Sequence, residues 1–112
     1  MASEKILNLI RALKKGTEEK RVHWQDLPDE QMFRTQMAGG LVRIGIIEVD
    51  ERTGYSLSLI GIGGSIAAEE EFFPASSGYD LMEDLYRSAR MVARGGDYLV
   101  DSIIRELNPA GV

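Results

Sequence analysis

In residues 4–15, EKILNLIRALKK, the apolar side chains Ile6, Leu9, Ile10 and Leu13 recur at the spacing of one helical face. Ser3 stands just ahead, where a hydroxyl oxygen can accept from a free N–H of the first turn. Lys14 and Lys15 sit at the negative end of the helix dipole, and Gly16 suits the left-handed position that closes a helix. The spacing predicts a short amphipathic helix ending there.

The period then changes to two. Residues 20–25, KRVHWQ, alternate weakly, and DLPDE makes a turn because Pro28 fixes its own φ and lacks an N–H. Residues 31–38, QMFRTQMA, and 41–49, LVRIGIIEV, flank Gly39-Gly40, a two-residue loop that accepts positive φ at both positions. Setting Ala38 opposite Leu41 puts Phe33, Thr35 and Met37 on the same face as Val42, Ile44 and Ile46. After the turn DERTG, the strand 55–62, YSLSLIGI, sets Leu57 opposite Ile46 and Leu59 opposite Ile44. Ser56 and Ser58 fall on the other, wet face, as in an antiparallel sheet.

The run SLSLIGIGGSIAAEEEF (56–72) raises the question of a phosphate-binding glycine loop. A P-loop needs Gly-Lys-Ser/Thr at the start of a helix, and a dinucleotide turn needs G-x-G-x-x-G. Here Gly64 precedes Ser65, no lysine follows Lys20, and the third glycine position holds Ile66. The segment SIAAEEEF after the glycines is short and closes on acidic residues before Pro74, so it reads as a fifth strand. Gly63-Gly64 then serves as a second two-residue hairpin loop.

PASSG (74–78) ends the sheet pattern and offers Ser76 or Ser77 as a cap. Leu81, Leu85, Ala89, Val92, Leu99, Ile103 and Leu107 form a helical stripe, widened by Met82, Tyr86, Ala93 and Val100. Gly95-Gly96 interrupts it, at about 1 kcal/mol per glycine relative to alanine. Either the helix bends there, or it ends at Gly95 and restarts with Asp97 as cap. The stripe keeps phase across the pair, which favours one long, bent C-terminal helix.

The order predicts a single α+β domain over residues 1–112. An antiparallel β-meander of four to five strands carries an N-terminal helix and a long C-terminal helix on one face, a two-layer sandwich. With 112 residues, 44% apolar and 28% charged, the chain has enough length for an unstapled core. It has no cysteine, which excludes disulfides, thiolate nucleophiles and thiolate metal sites. No signal-peptide pattern opens the chain and no run approaches the ~18 apolar residues of a membrane span, so a soluble, cytoplasmic protein is expected. The net charge of −5 divides into +3 over residues 1–23 and −8 over 24–112. An acidic body repels nucleic acid and anionic membranes, and neither is expected as a partner.

Chemistry-bearing clusters are sparse. His23, the one histidine, lies beside Trp24 on an expected edge strand, with no partner marked by the sequence and no G-x-S-x-G nucleophile. Glu69, Glu70 and Glu71 could approach a hard cation, but neighbouring strand residues point to opposite faces, and glutamates that blunt a sheet edge explain them better. The row Arg87, Arg90, Arg94 could hold an anion, although Asp80, Glu83 and Asp84 one turn away supply internal ion pairs. No catalytic, cofactor-binding or metal-binding residue is assigned. What remains is a surface: Trp24, Leu41, Ile47 and Ile60 fall on the wet face of the sheet or near its edge, and together would make an apolar interaction patch.

The segments KRVHWQDLPDEQMFRT, YSLSLIGIGGSI and LMEDLYRSARMVARGGDYLVDSIIREL resemble, over residues 16–107, a group of small uncharacterised bacterial domains. That group combines a GK-x-x-W strand, an F-x-T strand and an LY-x-x-AR helix. Here Trp24, Phe33-Arg34-Thr35 and Leu85-Tyr86 with Ala89-Arg90 match, while Glu19-Lys20 replaces Gly-Lys. The resemblance implies a bacterial, non-catalytic accessory module and carries over no site residue. The expected function is therefore binding to a protein partner or to a second copy, with no cofactor. The alternative is an immunity or antitoxin-like protein whose acidic body covers a basic effector.

Overall fold

The computed structural model describes residues 3–27 and 30–108. The order is α1 (Glu4–Glu18), β1 (Gln25–Leu27), β2 (Met32–Met37), β3 (Gly40–Val49), β4 (Arg52–Ile60), β5 (Ile66–Phe72), α2 (Tyr79–Ala93) and α3 (Gly96–Leu107). The turn expected around Pro28 lies outside the described residues. The strands form one antiparallel sheet in sequence order. Helices α1 and α2 pack on each other, and α2 lies on the sheet. The fold is α+β, as the hydrophobic pattern predicts.

Ser3 caps α1 by accepting from the Ile6 N–H at 3.2 Å. The helix does not stop at Gly16 but runs to Glu18. Lys20, at φ 62°, takes the left-handed position instead. Its N–H donates to the Thr17 carbonyl at 3.1 Å and the Arg21 N–H to the Gly16 carbonyl at 2.8 Å, the paired bonds of a Schellman end. Gly16 is needed for a different reason: a Cβ there would stand 2.7 Å from Val22 Cγ2, so its bareness lets Val22 pack onto α1. Residues 20–24 are not a strand. They cross the helix end and bury Val22 and Trp24.

The sheet registers differ from expectation by two residues each. Phe33 pairs with Ile44 and Thr35 with Val42, because the first turn is centred on Ala38-Gly39, both at positive φ. Ile44 pairs with Leu57 and Ile46 with Tyr55, around a tight turn at Asp50-Glu51, also both at positive φ. A shift of two leaves every side chain on its predicted face, so the apolar face is intact. Gly63-Gly64 is likewise not a two-residue loop. The Gly64 N–H bonds the Gly61 carbonyl at 2.9 Å, Gly64 takes φ 87°, and the register slips between Leu59 and Ile60. It is a hairpin turn with a bulge, and strand β5 begins two residues later.

Phe33, Ile44, Leu57 and Phe72 from the sheet meet Ile10, Leu13, Met82, Leu85, Tyr86 and Ala89 from the helices in one core. Each large apolar side chain among them, fully buried, contributes roughly 1.5–3 kcal/mol of transfer free energy. Tyr86 stands edge-on to Phe33, with centroids 5.2 Å apart, and its hydroxyl donates to the Gln31 carbonyl at 3.1 Å. Gly78, at φ 89°, begins α2 without a side-chain cap, and Ser76 instead accepts from the Phe73 N–H at 3.1 Å.

The expected long, bent C-terminal helix is two helices. After Arg94 the chain takes a left-handed turn at Gly95, φ 72°, whose N–H closes α2 on the Val92 carbonyl and whose carbonyl opens α3 by accepting from Leu99. The apolar phase kept across Gly95-Gly96 does not keep the second half on the core. Among the described residues, no member of the buried core belongs to α3.

Candidate functional site

Helix α3 has one apolar face: Leu99, Val100, Ile103, Ile104 and Leu107 fall on a continuous arc at about 100° per residue. In a surface helix that arc would face the core. Here Leu99 is 58%, Ile103 47%, Ile104 52% and Leu107 74% exposed, and the helix's packing partner is α2. Met91, near the end of α2, is 46% exposed beside it, with its sulfur close to where a Gly96 Cβ would stand. Among the described residues this is the longest run of large apolar side chains left in water. Periodicity alone places these stripe residues in the core. The signal for their exposure is the glycine pair, which ends one helix and re-aims the next.

The four residues expected to share an interaction patch do not come together. Trp24 is a correction: it is 6% exposed, within the core, and its indole N–H donates to the Thr17 hydroxyl at 2.8 Å. Leu41 and Ile60 are direct cross-strand partners on the helix-free face of the sheet, both half-buried. Beside them Ile66 pairs with Ile60, and Ile62, 89% exposed, leans over Gly39. Ile47 lies six residues further along β3, roughly 20 Å away, opposite Gly54, where Phe73 fills the space a Cβ would take. Between the two ends run polar rows. Arg34 donates to Gln25 at 2.8 Å, and Ser58 donates to Glu69 at 3.2 Å.

Glu69 and Glu71 therefore edge the helix-free face, opposite Ser58 and Ser56, while Glu70 pairs with Leu57 on the covered face. β5 is an edge strand, and this alternation places charge on both of its sides. Among the described residues no three His, Asp or Glu side chains converge as a metal site would need.

His23 is exposed, on the rim of a groove of about 480 Å³ also lined by Arg21, Arg34, Thr35, Met37 and Leu41. Its imidazole makes no hydrogen bond to the described residues. Arg21 turns to Glu19 and holds that carboxyl below its ordinary range, chiefly through their hydrogen bond. Of the arginine row, Arg87 pairs with Glu83 at 3.6 Å as expected. Arg94 does not pair within the helix: its Nε donates to Asp26 Oδ2 of β1 at 3.0 Å, and its guanidinium lies 5.4 Å from the Phe33 ring centre. Asp26 Oδ1 is buried without a hydrogen-bond partner among the described residues. Tyr55 and Tyr86 are held above the ordinary phenol range, in both cases mainly by burial.

No helix of the described residues is long and apolar enough to cross a membrane. No protein-family model, curated protein or solved structure matches the chain.

Proposed function

We propose that this protein is a small bacterial cytoplasmic accessory domain that works by binding another polypeptide rather than by catalysis. The apolar face of α3 carries this reading. Five large aliphatic side chains held in water on a formed helix cost solvation free energy that a partner's groove or helix would recover. The Leu41–Ile60 pair with Ile62 and Ile66 is a smaller second patch, at the hairpin ends of the sheet. The resemblance to small bacterial accessory modules supports the setting.

The test is affinity capture with the tagged full chain, wild type against Ile103→Asp. A polypeptide retained by wild type and lost with the variant, whether a copy of this chain or another protein, is the expected result. Identical retention by both, or none by either, would overturn the reading.

A second reading rests on charge. The balance of −8 over residues 24–112 favours an immunity or antitoxin-like protein that docks a basic effector. Its mark would be an association rate falling steeply with salt toward a basic protein encoded alongside. A salt-independent rate, or no such neighbour, removes it.

A further inference from the structure

We propose that α3 pairs antiparallel with the α3 of a second copy of this chain, about a two-fold axis passing near Ile103. The proposal rests on the reading of α3 as the binding face and names its occupant.

Three observations select a second copy. The stripe from Leu99 to Leu107 is uninterrupted by charge: Asp101 and Arg105 lie on the opposite side of the helix and Glu106 borders it. An identical stripe therefore meets nothing that repels it, and an isologous contact asks for this self-complementarity. The helix carries Asp97, Asp101 and Glu106 against the single Arg105, and no lysine. Amphipathic helices that lie on anionic lipid instead put lysines and arginines on the polar side, so a bilayer is disfavoured. Third, the area is adequate. The exposed apolar surface of these five residues with Met91 amounts to roughly 500 Å² per copy, so a pair that covered all of it would bury about 1,000 Å², the floor for a specific interface. That size predicts a reversible, concentration-dependent dimer.

The antiparallel sense follows from where α3 leaves the domain. Each body joins its α3 at the N-terminal end, and a helix of 12 residues is only about 18 Å long. A parallel pair would bring two bodies to the same end. The antiparallel pair sets them at opposite ends and opposes the helix dipoles. Residue 103 is midway between 99 and 107, so Ile103 meets its own copy while Leu99 meets Leu107.

The chain has no cysteine, so single-cysteine variants report this geometry directly. Under mild oxidation Ile103→Cys should cross-link to a disulfide dimer, while Tyr98→Cys, on the polar side, should not. Leu99→Cys and Leu107→Cys should cross-link when mixed and only poorly alone. In sedimentation equilibrium the wild type should move toward twice the chain mass with rising concentration. Ile103→Asp should weaken that association roughly tenfold or more, with a melting temperature equal to the wild type's at dilutions where both are monomeric. If Ile103→Asp disturbs folding, Leu107→Asp, at the helix end, supplies the same comparison. A wild type that stays monomeric, or an association that neither aspartate moves, would overturn the proposal. So would Leu99→Cys and Leu107→Cys each cross-linking alone as fast as Ile103→Cys, which is the parallel pattern. A monomer that still captures a different protein through α3 would refute the second copy while leaving the binding reading in place.

Discussion

The indole N–H of Trp24 donates to the Thr17 hydroxyl at 2.8 Å, and that hydroxyl donates onward to the Leu13 carbonyl at 2.7 Å. All three groups are buried, and the relay ties the loop after α1 to the last full turn of that helix. Thr17→Val would leave the indole donor buried and unpaired, at about 1–3 kcal/mol. Trp24→Phe removes donor and volume together and should cost about 2 kcal/mol. With no indole left to orphan, the double variant should lose less than the sum of the two. Urea unfolding of the four proteins measures the coupling, and strict additivity would contradict the hydrogen bond.

Gly78 and Gly95 share a left-handed backbone but differ in surroundings. A Cβ on Gly78 would stand 2.6 Å from Leu7 Cδ2 and 3.0 Å from Phe72, while one on Gly95 meets nothing within 4 Å. Gly95→Ala should cost only the conformational strain, about 1–2 kcal/mol. Gly78→Ala adds displacement of buried Leu7 and Phe72 and should cost about 2–4 kcal/mol. Equal losses in thermal unfolding would mean that the close approach at Gly78 relaxes freely.

Burial raises the phenol pKa of Tyr86 above its ordinary value of 10.0, and Tyr55 shifts the same way. A raised folded-state pKa favours the neutral phenol in the native protein. The stabilisation is therefore complete below about pH 10 and is lost as pH rises through the folded-state value. Unfolding free energy should be flat with respect to these groups from neutral pH to about pH 9, then fall. Tyr86→Phe should lose about 1 kcal/mol at neutral pH, with the bond to the Gln31 carbonyl, and show a shallower alkaline fall. Urea melts from pH 8 to about pH 11 test this; an unchanged alkaline slope in Tyr86→Phe would assign the effect elsewhere.

Face assignment is legible in the chain and pairing partners are not. Phe33, Ile44 and Leu57 lie on the predicted face even though both registers move by two, because a period of two survives a shift of two. The turns move because Ala38, Asp50 and Glu51 accept positive φ, a tolerance that glycine spacing alone does not reveal. Lys20 ends α1 although Gly16 is suited to do so, since tertiary packing of Val22 claims the glycine. Trp24 departs from the expected strand for a related reason. Alternation in KRVHWQ suggests a strand, but a buried indole needs a hydrogen-bond acceptor, and Thr17 across the helix end provides it. The α3 face reads as core because helical phase continues through Gly95. Phase describes which side chains share a face, not whether anything covers that face.

The division of labour between α3 and the rest can be tested by removing it. Among the described residues the core cluster lies between Leu7 and Ala89, and the backbone bonds of α3 are internal to it apart from its start at Gly95. A chain ending at Gly95 should therefore fold cooperatively, with stability within about 1 kcal/mol of the whole. Trp24 fluorescence should be unchanged, since its partner Thr17 is far upstream. By contrast Leu85→Ala, fully buried in α2, should cost about 2–5 kcal/mol in the same assay. If the shortened chain unfolds, the α3 side chains contribute to folding more than their exposure allows, and the helix is part of the core's support rather than a face kept for a partner.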